Sequence, residues 1–255
     1  MLNDSEWNTI NNILLELYTI DDVSLLFQKV MRVFRMLIPY TQGYFVLLDE
    51  RHKIKPENIY FVDMDDTVIK KYMEQYYDMD YLKYLYEFAT DTTVYKDTEI
   101  LEDTIRTQTE FYRKFLKPAN IPYGCGILLV KEHRILAVMN LFRSESLGDF
   151  SEKDMYILNV LKRHLENMVF KAVQGERQQE LSEECYAKAA ETYELTKRET
   201  EILPLLCKGL SNNEICDTLS VSLSTVKKHV YNLYAKTAVS SRTQLVNLIY
   251  TTADF

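Results

Sequence analysis

At 255 residues, with 47% hydrophobic and 27% charged residues, the chain has the length and composition of a globular protein of two ordinary domains rather than a disordered or fibrous one. Its net charge of −8 argues against a surface that binds nucleic acid indiscriminately. The four cysteines lack C-x-x-C spacing, the N-terminus has no basic segment followed by an apolar one, and no apolar run approaches the roughly 18 residues of a membrane span, so a soluble cytoplasmic protein without disulfides, metal or cofactor is expected.

Residues 4–38 read as two helices. Asp4 or Ser5 caps the first, which carries Ile10, Ile13, Leu14 and Leu17 on one face. The second carries Val23, Leu26, Val30, Val33 and Phe34 and stops before Pro39. Gly43 to Leu48 is a strand, and Ile54 to Val62 contains a partner strand, irregular around Pro56. Asp65 to Ala89 is predicted helical and is crowded with tyrosines, among them Tyr72, Tyr76, Tyr77, Tyr81 and Tyr84. A short Val94–Tyr95 strand and a helix from Glu110 to Leu116 follow. Tyr123 to Val130 and Ile135 to Phe142 are two strands, joined as a hairpin through Lys131 to Arg134. A capping box of Ser151 with Asp154 opens a long helix with a stripe of Met155, Leu158, Leu161, Leu165, Met168 and Ala172. Gly175 interrupts the pattern, and the polar, alanine-rich residues 176–192 read as a helical linker.

This order of elements implies an antiparallel sheet flanked by helices. Tyr112-x-x-x-Leu116-x-Pro118-x-x-Ile121, Tyr123-Gly124-x-Gly126-Ile127 and Leu141-x-Arg143 followed by Phe150-Ser151-x-x-Asp154 resemble a GAF domain. That resemblance implies a sensor or interaction domain over residues 1–174, with an unknown small molecule as its partner. The tyrosine hydroxyls then suggest a ligand wall, with Tyr77, Tyr81, Tyr95 and Tyr112 as candidates. The plainer alternative is an amphipathic helix packed on the sheet with its tyrosine tips in water. Asp49 ends a strand as a phospho-acceptor would, and Lys131 ends a later one. A receiver domain, however, begins with a strand and alternates β with α, whereas this chain begins with two helices. An acyl-homoserine-lactone pocket would use tryptophans, and the chain has only Trp7. His133 and His164 have no metal or nucleophile partner in view and are expected at the surface. A catalytic domain is disfavoured, since no nucleophile elbow, P-loop or paired-carboxylate motif is found. A protein–protein adaptor without a small-molecule ligand remains the competing class.

From residue 193 onward four helices are punctuated. Thr196 with Glu199, Ser211 with Glu214 and Ser241 with Gln244 form capping boxes, Ser222 caps the remaining helix, and Gly209 stands where a left-handed C-cap residue belongs. Pro204 falls inside the first of these helices, where it removes a backbone donor. Seven cations meet six carboxylates here, a balance of +1 that leaves −9 for residues 1–192. In the third helix Val226, Val230 and Leu233 form a buried stripe, and Ser224, Lys227, Lys228, Tyr231 and Asn232 occupy the other side. No acidic residue occurs from Ser222 to Arg242.

Leu195-Thr196-x-Arg198-Glu199, Gly209-x-Ser211-Asn212-x-Glu214-Ile215, Leu219-x-Val221-Ser222, Thr225-Val226-Lys227-x-His229 and Val239-x-Ser241-Arg242 resemble the LuxR-type (GerE- or FixJ-type) DNA-binding domain. The resemblance implies a four-helix, all-α domain over residues 193–255 whose helix-turn-helix enters the major groove of double-stranded DNA. The whole chain is therefore expected to be α+β: a GAF-like domain, a linker over 175–192 and a helix-turn-helix domain. Lys227, Lys228 and Tyr231 are expected at base edges. Ser222, Thr225, Asn232, Lys236 and Arg242 are expected at phosphates, with Ser224 beside them. Asn213, which replaces a usual lysine, is expected to make a weaker contact. His229 lies nearer the buried stripe. These features describe a transcription regulator, one that binds as a homodimer and can meet RNA polymerase. Two dimer surfaces are expected: the final helix, with Leu245, Val246, Leu248 and Ile249, and the long-helix stripe of Met155, Leu158, Leu165 and Met168.

Overall fold

The computed structural model describes residues 2–49 and 54–251. Two compact units divide the chain, Met1–Gly175 and Glu176–Phe255.

In the first unit the apolar spacing produces helices α1 (Asp4–Leu17) and α2 (Val23–Leu37). Asn3 caps α1, one residue ahead of the expected pair: its side chain accepts from Glu6 N at 2.9 Å, and the Glu6 carboxylate accepts from Asn3 N. Five antiparallel strands follow: β1 (Gln42–Leu48), β2 (Ile54–Val62), β3 (Thr93–Lys96), β4 (Tyr123–Lys131) and β5 (Arg134–Arg143), in the spatial order β2-β1-β5-β4-β3. Only Glu132 and His133 separate β4 from β5. Both have positive φ, 52° and 61°, as a two-residue hairpin turn of matching twist requires.

Alternation along the strands gives the sheet two faces. Phe45, Leu47, Cys125, Ile127, Leu129, Ala137, Met139 and Leu141 meet α1, α2 and the first part of α7 (Glu152–Thr192) in the larger core. Phe27 of α2 stacks on Phe45 with ring centroids 3.8 Å apart. Tyr44, Gly124, Gly126, Leu128, Val138, Asn140 and Phe142 alternate with those positions and occupy the opposite face. Arg143 ties the end of β5 to the start of α7: it pairs with Asp154 at 3.1 Å, donates to the carbonyls of Pro39 and Asp149, and lies over the Phe150 ring.

The stretch expected as one tyrosine-rich helix is broken. It comprises α3 (Asp66–Lys71), a π-helical turn (Tyr72–Tyr76), a 3₁₀ turn (Tyr77–Met79) and α4 (Lys83–Phe88). Asp80 is the cause. Its carboxylate accepts from Leu82 N and from the Tyr72 hydroxyl, both at 2.8 Å, so the side chain competes with the helix for local donors. The predicted 110–116 helix is likewise drawn into a π-helical turn at Tyr112–Leu116. Two single-turn helices, α5 (Asp97–Ile100) and α6 (Asp103–Arg106), are too short to leave a periodic pattern in the sequence.

The second unit contains the end of α7, with α8 (Lys197–Cys207), α9 (Asn212–Leu219), α10 (Leu223–Thr237) and α11 (Arg242–Thr251). Cys185, Tyr186 and Ala189, read from sequence as part of the linker, are buried in the core of this unit beside Ile202, Leu206, Ile215, Val226 and Leu245. Gly175 does not end α7, which runs through it. Gly209, with φ +93°, closes α8, and Leu210 N returns to the Leu205 carbonyl at 3.1 Å.

Candidate DNA-binding face and sensor cavity

Helix α10 is placed by a tight turn. Ser220 takes a left-handed conformation (φ 53°), and Ser222 then caps α10 by accepting from Thr225 N at 3.2 Å. The Ser222 hydroxyl is also within 2.9 Å of the Ser224 hydroxyl and 2.8 Å of that of Thr225, so its first task is to hold the turn. Val226, Val230 and Leu233 face the core as expected. Ser224, Lys227, Lys228 and Tyr231 are exposed, Tyr231 by 73%, while Thr225 and Asn232 are half-buried at the edge of the same face. Neither Lys227 nor Lys228 has a carboxylate partner among the described residues. Asn213 is exposed in the first turn of α9. His229 is half-buried, with its Nδ1 buried and without a hydrogen-bond partner.

Two of the cations expected at phosphates have internal partners. Lys236 donates to the buried Glu199 carboxylate at 2.8 Å and to the Glu194 carbonyl at 2.7 Å. Arg242 donates to the carbonyls of Leu205, Leu206 and Leu210, at the C-terminal end of α8 and its turn. Both head groups therefore hold helices together. The caps at Thr196 and Ser211 form as read. At α11 the Gln244 side chain reaches Ser240 N, one residue before the expected partner, while Ser241 Oγ accepts from Gln244 N.

In the first unit a cavity of about 40 Å³ lies over the second face of the sheet. Tyr44, Phe61, Tyr72, Phe111, Phe115 and Phe142 wall it, Asp80 and Asp97 are also among its lining residues, and the surface it presents is almost wholly apolar. Phe111 and Phe115 stack at 5.4 Å, and the Tyr72 ring tilts against both. Asp97 opens α5 and is 2% exposed. Gly124 makes room for it, because a Cβ there would stand 2.6 Å from Asp97 Oδ2. The Tyr81 hydroxyl donates to Oδ2 at 3.4 Å, and Oδ1 is buried with no hydrogen-bond partner. Burial and the neighbouring Asp80 push the Asp97 carboxyl up to about 7, against the pull of Arg106 and the Tyr81 hydroxyl. Burial likewise lifts Asp80 to about 6, despite its bonds from Leu82 N and Tyr72.

The tyrosines named from sequence are redistributed by this geometry. Tyr81 orients Asp97. Tyr95 donates to Asn140, whose amide donates to the Tyr44 hydroxyl at the cavity wall. Tyr112 stacks under Arg106, 4.8 Å from the guanidinium carbon. Tyr77 is 42% exposed and packs edge-on against Tyr72, outside the cavity, because the π-helical turn rotates it outward. The sequence reading missed Tyr44, Asp80, Asp97, Phe111 and Phe115. The available signal was the Gly124-x-Gly126 alternation, which clears one sheet face at two successive inward positions.

A family model for bacterial regulatory proteins of the luxR family (GerE) matches residues 193–249. The monoamine regulon transcriptional regulator of Klebsiella aerogenes is 31% identical over 219 residues, which are 86% of this chain and 88% of that protein. The chain belongs to the LuxR family of bacterial regulatory proteins. The CsgBAC operon transcriptional regulatory protein of Escherichia coli K12 is 57% identical over 53 residues, 21% of this chain and 24% of its own. The VqsR LBD domain from Pseudomonas aeruginosa has a similar fold, with a TM-score of 0.50 and 12% identity over 68% of this chain and 98% of that one.

This LuxR-family chain is thus a transcriptional regulator with a DNA-binding helix-turn-helix, a family that is not a class of enzymes. Its long-helix stripe departs from the dimer expectation. Leu158, Leu165 and Met168 are at most 2% exposed within the core of their own unit, and Met155 is 8% exposed. Leu245 and Ile249 of α11 are buried in the same manner in theirs, leaving Val246 and Leu248 half-buried. No described helix is long and apolar enough to cross a membrane.

Proposed function

We propose that the regulator reads operator DNA with the exposed side of α10, under the control of a small molecule bound in the cavity of the first unit. The observation that carries the DNA reading is the segregation on α10: three buried apolar residues on one side, and Lys227, Lys228 and Tyr231 on the other. Lys227 and Lys228 reach base edges. Ser224, Thr225, Asn232 and Asn213 border them and meet phosphates, with the Ser222 hydroxyl at the N-terminus of α10. One short helix offers little contact, so the protein binds as a homodimer on two half-sites about 10 base pairs apart. The half-buried Val246 and Leu248 of α11 are the surface that supports this pairing. RNA polymerase is the expected downstream partner, in the cytoplasm.

Control by a ligand rests on the cavity, whose wall is aromatic and almost wholly apolar. The test has two parts. Operator affinity of Lys227→Ala and Lys228→Ala should fall while the fold persists; unchanged affinity in both would dismiss the base-reading face. Leu116→Phe, which fills the cavity from its wall, should freeze the transcriptional response of a chromosomal operator reporter in one state. A response identical to that of the natural protein would separate regulation from the cavity.

A further inference from the structure

The second unit takes in the end of α7, a helix that starts in the first. No residue of α7 from Glu176 to Glu184 is buried, so Cys185 and Tyr186 are the first by which it grips the core of the second unit. Tyr186 is 7% exposed, and its hydroxyl is hydrogen-bonded at 2.9 Å to that of Tyr250, in the last turn of α11. The two rings meet edge to face with centroids 6.4 Å apart. The Cys207 thiol, at the end of α8, is the second partner of the Tyr186 hydroxyl. A phenol has one proton to give and lone pairs to accept, so both bonds are made at once. Burial, and then the bond to Tyr250, raise the Tyr186 hydroxyl above the ordinary phenol range, so it keeps its proton.

The rest of α11 shows what this bond is for. Leu245 and Ile249 seat the ten-residue helix on the core, both fully buried. Apolar burial is non-directional, so two such contacts fix where α11 lies but leave its roll about its own axis weakly set. Hydrogen bonds are directional, and they come at both ends of the helix. Arg242, Val246 and Tyr250 are four residues apart and share one side of α11. Arg242 fastens the first turn to the carbonyls of Leu206 and Leu210, at 2.8 and 2.6 Å. Tyr250 fastens the last turn to α7. Val246, half-buried between these two anchors, is one of the apolar residues offered for pairing.

We infer that Tyr186 is a positioning residue for the homodimer on DNA: through its hydroxyl bond to Tyr250 the end of α7 fixes the roll of α11, and with it the side of α11 that meets a second protomer. The inference rests on the reading of α11 as the pairing surface and adds the residue that orients it. It makes the end of α7, which lies outside the matched residues 193–249, a working part of the DNA-binding unit.

Binding of the full-length protein to DNA tests it, on a duplex that the protein selects from random sequence and on the same duplex cut to one half-site. The natural protein should bind the two half-sites cooperatively. Tyr186→Phe and Tyr250→Phe keep the rings and remove one hydroxyl each. Either should lower the cooperativity about 5-fold or more, while affinity for the single half-site stays within about 2-fold. The variant carrying both substitutions should lose no more than either alone, because the two hydroxyls make one bond. Tyr250→Phe, at an exposed position, carries the test if Tyr186→Phe does not fold. The inference is overturned if cooperativity does not fall, if the losses of the two variants add, or if the single half-site weakens as much as the pair, which is the mark of a tyrosine that only supports the fold. Cooperative binding indifferent to both hydroxyls removes this inference and leaves the homodimer reading intact; a natural protein that fills two half-sites independently removes both.

Discussion

Glu199 in the helix-turn-helix unit and Asp97 in the first unit are acidic residues with almost no exposure, 1% and 2%. Burial raises the pKa of both. At Glu199 that effect is outweighed by the Lys236 ammonium and by the backbone and hydroxyl of Thr196, and the carboxyl is held at about 2. At Asp97 a second acid adds to burial, one oxygen has a single long bond and the other has none, so the carboxyl rises to about 7. A carboxylate that belongs to a scaffold is given every partner its lone pairs accept. Asp97 is left with a place unfilled, and the fold tolerates the cost.

The largest expected effect lies on the scaffold side. Glu199→Ala removes a capping-box member and strands Lys236, and should lower the denaturant stability of the C-terminal unit by about 3 kcal/mol. Asp97→Asn, at equal burial, should leave its unit level or more stable; equal losses in the two variants would erase the contrast. Next is DNA binding. Lys227→Ala or Lys228→Ala should each cost about 1–3 kcal/mol at a specific operator. Lys236→Ala should act first on melting temperature, since its ammonium serves Glu199; a salt slope changed by about one with no loss of stability would return Lys236 to the phosphates.

The two carboxylates should also respond to pH in opposite senses. Asp97 and Asp80 have raised values in the fold, so their stabilising contribution is complete below about 4 and is lost as pH rises through about 6 to 7. Glu199 has a lowered value, so its contribution is complete above about 4.5 and is lost as pH falls toward about 2. Urea unfolding of Asp97→Asn between pH 5 and 8 should therefore be flatter than that of the natural protein, in which Asp80, Arg106, Tyr81 and Asp149 surround the group. The smallest effect is at the cap of α10. Ser222→Ala should cost about 1 kcal/mol of stability; a much larger loss of operator affinity would show that its hydroxyl also reaches DNA.

How far each unit was legible follows from how local its determinants are. In the helix-turn-helix every start is a short-range bond: Thr196 to Glu199, Ser211 to Glu214, Ser222 to Thr225, each three residues apart. The apolar spacing of α10 then settles which side is exposed. The strands and their hairpin were legible for the same reason, by alternation and a two-residue turn. The tyrosine-rich segment misled because its interruption depends on Asp80 turning inward, and helical periodicity does not record that.

What the sequence determined alone was the family resemblance, the α+β order of elements, and the apolar and cationic sides of α10, since each is written in residues a few positions apart. Tertiary structure decided the rest. Lys236 and Arg242 gained internal partners because Glu199 and the end of α8 come to them from more than 30 residues away. The long-helix stripe was absorbed because α1, α2 and the sheet cover it. Asp97 became a buried carboxylate because β4 passes beneath it with a glycine at Gly124, 27 positions later in the chain. A charge pattern states which groups are available; only the packing of distant segments states which of them are left without a partner.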